Sequence, residues 1–209
     1  GGLNIIEMIQ PEIEKLKDDA TIKQYKKAIK FIEEGIERTS KIVNALMDFS
    51  SQKHIELKEH NIHEVIDNTL LFLRTNIPDD IEIQKNYNLK TNVPIFVDNL
   101  HQVLLNILNN ALFELKHVAS NNKTIIISTK QDTKNAHIQI FNNNSKISED
   151  NLIKIFDPFY TTKDPNKGTG LGLSISYSLM TEMGSEIIVE NENDGVCFIL
   201  TIPLKNSNK

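Results

Sequence analysis

Four short segments in the second half of the chain contain residue types that suit a phosphate-bearing ligand. They are, in chain order, Asn106–Ala111, Phe141–Ser145, Ile155–Lys163 and Gly168–Leu173. Amide oxygens are hard ligands of the kind that Mg²⁺ accepts, and glycines allow backbone N–H groups to approach a phosphate closely. Each segment has a use in holding a nucleoside triphosphate with Mg²⁺, although each is a weak signal by itself.

The first segment lies in an amphipathic helix predicted over residues 98–117. Asn106 and Asn110 are four residues apart, so their amides share one helical face. Asparagine is a middling helix former and is costly to bury unpaired, so the presence of three asparagines in this helix, at 106, 109 and 110, requires an explanation. Either they bind Mg²⁺, or they form a polar face in an asparagine-rich chain. The opposite face carries Val103, Leu104, Ile107, Leu108, Ala111 and Leu115 toward a core.

The third and fourth segments bound a long polar loop, predicted over residues 157–169. Phe156 and Phe159 are predicted to pin one end of a lid, and the loop end opens onto a helix predicted over 171–183. The cluster Gly168–Leu173 follows a polar loop and lacks the spacing of the dinucleotide fingerprint, and no Gly-Lys-Ser/Thr follows it. The residues that offer hydroxyls or positive charge to phosphates are Thr161, Thr162, Lys163 and Lys167.

The remaining sequence predicts the elements that must position these segments. Helices are predicted at 3–18, 22–51 (with Thr21 as its cap), 61–75 and 148–156 (with Ser148 as its cap), and a polar boundary at 52–64. Strands are predicted at 81–87, 93–97, 125–129 and 137–141, with a hairpin of 186–190 and 196–203 around Asn193–Gly195. Helices mixed with mostly antiparallel strands predict a two-layer α+β sandwich after an N-terminal helical hairpin.

Composition narrows the functional classes. The chain has 209 residues, is 39% hydrophobic and 24% charged, and has a net charge of −5, which argues against a general nucleic-acid binder. No apolar run approaches the length of a membrane span. The single cysteine, Cys197, excludes an internal disulfide and a thiolate metal cluster, and its apolar surroundings predict buried packing.

Taken together and in this order, the four segments resemble the ATP-binding domain of sensor histidine kinases, whose α/β sandwich is shared with DNA gyrase and a heat-shock chaperone family. The resemblance implies ATP and Mg²⁺ as ligands. It matches Asn142 to an aspartate that accepts a hydrogen bond from the adenine amino group, and it matches Asn144 and Lys146 to glycines. The nucleotide-binding residues that it implies are Asn106, Asn109, Asn110, Asn142, Asn144, Ile147, Phe156, Phe159, Thr161, Thr162, Lys163, Lys167, Gly168, Thr169, Gly170, Leu171, Gly172 and Leu173, with Asn106 and Asn110 as metal ligands.

The resemblance extends to the N-terminal part. Residues 37–50 are similar to the second helix of a dimerisation and phosphotransfer hairpin, which predicts a domain at 1–52 and a catalytic domain at 53–209. The helix predicted at 22–51 carries a heptad-like seam, which predicts a homodimer that forms a four-helix bundle. The seam consists of Ile29, Ile32, Ile36, Thr39, Val43 and Leu46. Glu7 and Pro11 fit the motif that follows the phosphoaccepting histidine, so Ile6 occupies the acceptor position in this register. A different register places the acceptor before Gly1.

The function implied by the resemblance is the catalytic portion of a cytoplasmic sensor histidine kinase, with any membrane attachment through segments outside this chain. It would transfer the γ-phosphoryl group of ATP to a histidine that is not found in this chain, and from there to the receiver domain of a response regulator. Two alternatives stay open. One is a degenerate nucleotide-binding scaffold, suggested by Ile6 and Asn142, and the other is an ATP-driven conformational machine of the gyrase or chaperone type.

Overall fold

The computed structural model of the protein describes residues 19–50, 57–144, 146–163 and 168–204. The chain divides into two compact units, one of Gly1–Gln52 with Thr161–Thr169 and one of Lys53–Tyr160 with Gly170–Lys209. The assignment of 1–52 as a phosphotransfer hairpin and 53–209 as a catalytic domain remains a prediction. In the described ranges, no helix combines the length and the apolar character that a membrane crossing requires.

The first unit contains a long helix, α1, spanning Asp19–Ser50. The prediction that Thr21 caps this helix is wrong, because Asp19 and Ala20 are already helical and Thr21 lies within the first turn. The predicted seam residue Ile32 is 53% exposed, although its β-branched apolar side chain favours burial. The helix predicted at 3–18 lies outside the described residues.

The second unit is built on a five-stranded sheet with the strand order β2-β4-β5-β7-β6. The β2–β4 pair is parallel, whereas β4–β5, β5–β7 and β6–β7 are antiparallel. Side chains alternate between the two faces, as the buried Ala136, Ile138 and Ile140 of β5 illustrate. The strands are β2 (Ile81–Tyr87), β4 (Lys123–Gln131), β5 (Asn135–Asn142), β6 (Glu186–Glu192) and β7 (Gly195–Pro203).

A separate two-stranded sheet joins β1 (Lys58–His60) to β3 (Val93–Ile95) in antiparallel pairing. The sequence predicted a polar boundary over 52–64, so β1 was missed. Its short polar sequence has no alternating apolar pattern, and only the backbone pairing with β3 makes it a strand. Strand β3 ends before the predicted Val97, because Val97 begins the next helix.

Helices complete the second layer and confirm the predicted α+β class. They are α2 (Ile62–Leu73, followed by a 3₁₀ turn at Arg74–Asn76), α3 (Val97–His117), α4 (Glu149–Leu152) and α5 (Gly172–Glu182). Ser148 occupies the N-cap position of α4, but its side chain makes no capping hydrogen bond. Instead its carbonyl accepts from the N–H groups of Asn151 and Leu152, which suffices for a single helical turn.

Helix α3 is held firmly against its neighbours. Its apolar face is buried along its whole length, from Leu100 to Leu115. The Thr69 hydroxyl of α2 donates to the Val65 carbonyl at 2.7 Å, so its oxygen accepts from Nδ1 of His101 on α3 at 2.9 Å. The helix that carries the predicted metal ligands is therefore a rigid element of the core.

The single cysteine lies in β7. Cys197 is buried, as predicted. Burial, reinforced by the nearby Glu192 and Glu190, raises the pKa of its thiol to about 12. A thiol that stays protonated is a poor nucleophile, so Cys197 contributes packing.

His63 links α2 to the edge of the main sheet in its neutral form. The Thr129 hydroxyl oxygen accepts from the N–H groups of Asn88 and Leu89, so its proton is available to Nε2 of His63 at 2.9 Å. The imidazole also stacks on Tyr87 with ring centroids 4.3 Å apart. Burial lowers the pKa of His63, although the negative charge of Asp67 partly opposes this.

The lowered pKa of His63 makes a prediction about stability and pH. Because unfolded histidine titrates near a pKa of about 6.5, the unfolded chain takes up a proton before the folded chain does. The contribution of His63 is therefore complete above that pH and is lost as the pH falls below it. We expect the urea midpoint to drop more between pH 7.5 and pH 5.5 for the unsubstituted chain than for His63→Phe, which keeps the stacking. His117→Phe, at the exposed end of α3, is the control, and equal drops in all three proteins would contradict the assignment.

Candidate functional site

The amide of Asn106 connects α3 to the start of α5. Its Nδ2 donates to the Gly172 carbonyl at 2.8 Å and to the Ser176 hydroxyl oxygen at 3.0 Å. Its Oδ1 accepts from Nε2 of Gln102 at 3.2 Å. Both donor contacts and the acceptor contact agree on one orientation of the amide. The oxygen that could bind a metal therefore lies on the side of Gln102.

The N-terminus of α5 lies directly against this amide. The first N–H groups of any helix have no partner within the helix, and no side chain caps α5, nor is there an acidic residue in its first turn. The positive end of the helix dipole therefore has no negative side chain from its own first turn. These donors, beside an amide oxygen, form an arrangement that suits an anion accompanied by a cation.

Gly170 is required by the contact between the third and fourth segments. It has φ +68°, and a β-carbon there would lie 2.4 Å from the carbonyl carbon of Phe159. Gly172 is different, because its added β-carbon would lie 3.5 Å from Cγ of Asn106, an ordinary contact. The glycine that permits close approach is thus Gly170.

The two phenylalanines that are predicted to pin the loop differ in their packing. Phe156 is half-buried and its ring lies 5.7 Å from that of Tyr177 on α5. Phe159 has φ +67° and a side chain that is 63% exposed. Its backbone, rather than its ring, makes the contact with Gly170. The segment is secured instead by buried Ile155 and by Tyr160, whose hydroxyl donates to Oδ1 of Asn151 at 2.6 Å.

The predicted base-reading residue closes strand β5. Asn142 is 3% exposed and pairs with Ile125 of β4 and Val196 of β7. Asn144 adopts a left-handed backbone with φ 60°, as its sequence allowed.

The turn after Asn142 is held by amides. Asn143 accepts the Thr124 N–H at 2.8 Å and donates to the Asn122 carbonyl at 3.0 Å. Nδ2 of Asn144 donates to that same Asn122 carbonyl.

The predicted residue Ile147 is held by β6. Its N–H donates to Oδ1 of Asn191 at 2.9 Å, and Nδ2 of Asn191 donates back to the Ile147 carbonyl at 2.7 Å. Its side chain packs on the core.

Six of the predicted loop residues belong to the first compact unit. A β-carbon at Gly168 would lie 2.9 Å from Oγ1 of Thr161 and 3.2 Å from Cδ of Lys163, and the Lys163 N–H donates to Oγ1 of Thr161 at 3.1 Å. The two described ends of the loop therefore meet. Lys167 lies outside the described residues, and nucleotide contacts of Thr161, Thr162, Lys163, Gly168 and Thr169 stay predictions.

The remaining predicted residues flank the two helices. Asn109 is exposed and Asn110 half-buried on α3, while Leu171 is buried and Leu173 is half-buried on the core. Their contacts with a ligand also stay predictions.

Sequence reasoning missed three polar residues that support the site. Gln102 and Ser176 stand four residues from Asn106 and Gly172 respectively, so helical spacing could have identified both. Asn191 is 44 residues from its partner Ile147, and no local pattern reveals such a pair.

Comparisons with known proteins identify the family of this chain. Residues 97–206, more than half of the chain, match the family described as "Histidine kinase-, DNA gyrase B-, and HSP90-like ATPase". Among curated proteins the chain is 29% identical over 177 residues to Sporulation kinase C of Bacillus subtilis (strain 168), covering 83% of this chain and 40% of that protein. The chain thus spans well under two thirds of that relative.

Comparison with solved structures also finds histidine kinases. The catalytic domain of the histidine kinase ThkA, in a nucleotide-free form, superposes with a TM-score of 0.64 at 31% identity, covering 72% of this chain and 97% of that domain. ThkA in complex with the response regulator protein TrrA superposes with a TM-score of 0.72 at 27% identity, covering 99% of this chain and 59% of that one. Together with the family match, these similarities show that the chain belongs to the histidine kinase-, DNA gyrase B- and HSP90-like ATPases, and within them to the sensor histidine kinases.

Proposed function

We propose that this chain is the catalytic portion of a sensor histidine kinase and that its second unit binds ATP with Mg²⁺. The observation that carries the proposal is the hydrogen bond from Asn106 to the Gly172 carbonyl. It brings a hard oxygen ligand next to the uncapped N-terminus of α5. Amide oxygens suit Mg²⁺ and helix N-termini suit phosphate, so the pair suits a metal-bound phosphate.

The residues present fit Mg²⁺. The oxygens of Asn106 and Asn110 would hold the ion together with phosphate oxygens, and the ion would supply neutralisation of the phosphate charge. An amide oxygen has two lone pairs, so Asn106 can keep the hydrogen bond from Gln102 while it binds a cation. The first N–H groups of α5 would bind phosphate, and Gly170 would let the preceding backbone approach it.

The base would lie at the end of β5. Asn142 offers an amide oxygen to the adenine amino group, and Asn144 and Ile147 border the same end of the strand. We also propose that Thr161, Thr162, Lys163 and Lys167 contribute hydroxyls and positive charge to the phosphates. This role rests on the resemblance to the family, in which the loop precedes the glycine cluster.

The phosphoryl acceptor would be a histidine that is not found in this chain, because Ile6, which occupies the matched position, has no nucleophilic side chain. From that histidine the phosphoryl group would pass to a response regulator, a partner class supported by the ThkA–TrrA complex. A homodimer through α1 would cover the exposed Ile32. The chain would act in the cytoplasm, where ATP is available, with any membrane attachment through segments beyond this chain.

A degenerate nucleotide-binding scaffold is the second candidate. The observation that favours it is the base-reading position itself, since buried Asn142 carries an uncharged amide and a neutral acceptor binds an amino group less strongly than a carboxylate does. The two candidates differ in nucleotide affinity and in phosphoryl transfer.

The first prediction concerns the ligand. In calorimetric titrations of the whole chain we expect ATP and ADP to bind, and ATP to bind at least about ten-fold more tightly with Mg²⁺ than without it, a difference of about 1.4 kcal/mol. Absence of heat at millimolar nucleotide would favour the scaffold. Mg²⁺-independent binding would remove Asn106 and Asn110 as metal ligands.

The second prediction concerns Gly170. Valine there would collide with the Phe159 backbone and displace the glycine cluster, so we expect Mg-ATP affinity to fall by roughly ten-fold or more. Gly184→Val is the matched control, because Gly184 also has a positive φ of +64° but has no atoms within 4 Å of an added β-carbon. It should lower the melting temperature through backbone strain of roughly 1–2 kcal/mol and leave the affinity unchanged. Equal affinity losses in both variants would contradict the phosphate-loop assignment.

The third prediction concerns Asn142. Asn142→Asp replaces the neutral acceptor with a charged one, and we expect ATP to bind several-fold more tightly while the ligand-free protein melts at a lower temperature, since a buried carboxylate is costly. Asn143→Asp makes the same charge change at the neighbouring position, which is paired with Thr124 and Asn122. It should not increase affinity. An unchanged ATP affinity in Asn142→Asp would remove this residue as the base reader.

A further inference from the structure

The side chain of Asn191 makes two hydrogen bonds to the backbone of Ile147, much as a neighbouring strand would. Asn191 accepts the Ile147 N–H at 2.9 Å and donates to the Ile147 carbonyl at 2.7 Å. Reversing the amide would place donor against donor and acceptor against acceptor, so its orientation is determined. Two hydrogen bonds to one residue fix both the position and the direction of the Ile147 backbone.

This contact lies in the same row of the sheet as Asn142. Val196 of β7 pairs with Asn142 on one side and with Asn191 on the other. Residues that pair directly across antiparallel strands project from the same face. Asn142 and Asn191 are therefore two strand spacings apart, about 10 Å, on the face where Ile125, the other partner of Asn142, is buried.

The position of Asn191 and Ile147 bears on how a base bound at the end of β5 would be recognised. An amide carries both an acceptor oxygen and a donor NH₂ group, so the residue type at position 142 does not by itself distinguish the amino group of adenine from the carbonyl of guanine. A carboxylate would have no such choice. Discrimination between the two purines must then come from the shape of the site, which a wall at Ile147 would provide.

We infer that Asn191 is a positioning residue for base recognition: it holds Ile147 as the wall across from Asn142, and this wall favours adenine over the wider, 2-amino-bearing guanine. The inference rests on the proposed function, since it concerns the nucleotide at that site. Asn191 acts through Ile147 and does not itself contact the base.

The test compares three ligands in calorimetric titrations of the full chain: Mg-ATP, Mg-GTP and Mg-tripolyphosphate. For Asn191→Leu we expect ATP affinity to fall about ten-fold, the scale of two lost hydrogen bonds of modest net strength. Tripolyphosphate affinity should stay unchanged and the preference for ATP over GTP should shrink. Asn191→Asp keeps an acceptor for the Ile147 N–H but places a second oxygen against the Ile147 carbonyl, so it should also lower ATP affinity.

The matched control is Asn86→Leu, the same replacement at an exposed position of β2. It should leave all three affinities unchanged. Amide hydrogen exchange of Ile147 in the ligand-free protein supplies an independent measurement, and exchange should accelerate in Asn191→Leu but not in Asn86→Leu. Melting curves identify any variant that fails to fold, in which case Asn191→Asp decides the question.

The outcomes separate this inference from the proposed function. Unchanged ATP affinity in the Asn191 variants, or equal losses of ATP and tripolyphosphate, would overturn the inference and leave the kinase proposal standing. If the unsubstituted chain binds tripolyphosphate and ATP equally well, the base contributes nothing to affinity. That result would also overturn the inference and leave the kinase proposal standing. Failure of the unsubstituted chain to bind any of the three ligands would overturn the proposed function and, with it, this inference.

Discussion

The hydrogen bond between the Asn106 side chain and the Gly172 carbonyl, 2.8 Å long, is the contact on which the site depends. It joins a helix with a fully buried apolar face to the first residue of a helix whose N-terminus has no side-chain cap. Uncapped helix ends normally attract a side chain, because their N–H groups need partners. Here no side chain caps the helix, and the amide oxygen of Asn106 lies beside its first residue. The sheet beneath both helices makes this arrangement rigid.

Near the end of β5, buried amide side chains occupy positions where a charged side chain would be costly. Burying a polar group is tolerable when each of its donors and acceptors is paired. Asn143 and Asn191 each make two hydrogen bonds to backbone groups of distant segments. Among the described residues, no buried side-chain nitrogen or oxygen lacks a partner. The asparagine-rich character of the chain thus has a structural use, since one amide can satisfy both an N–H and a carbonyl and so hold a non-repetitive segment in place.

Much of the fold was predictable because it rests on local periodicity. The alternation of β5 and the three-to-four spacing in α3 depend on neighbours within a few residues, and both elements appear within a few residues of their predicted bounds. The errors share a cause. Strand β1 has a polar sequence and exists through pairing with β3, and the exposure of the Phe159 ring follows from a positive φ that its apolar character does not predict. Thr21 is a residue type that favours caps, but the helix already includes Asp19 and Ala20. Ser148 does occupy the predicted N-cap position, although its side chain makes no capping hydrogen bond.

The sequence by itself determined the chemistry available to this protein: amide oxygens at Asn106 and Asn110 on one helical face, an asparagine at the end of an apolar strand, and a glycine cluster opening a helix. These follow from residue type and from spacings of four residues or fewer. Only the tertiary structure decided which of these groups meet. Asn106 reaches Gly172 across 66 residues and Asn191 reaches Ile147 across 44, and the strand order places Val196 between Asn142 and Asn191. The physical reason is that local periodicity selects helices and strands, whereas contacts between distant segments depend on how the whole core packs.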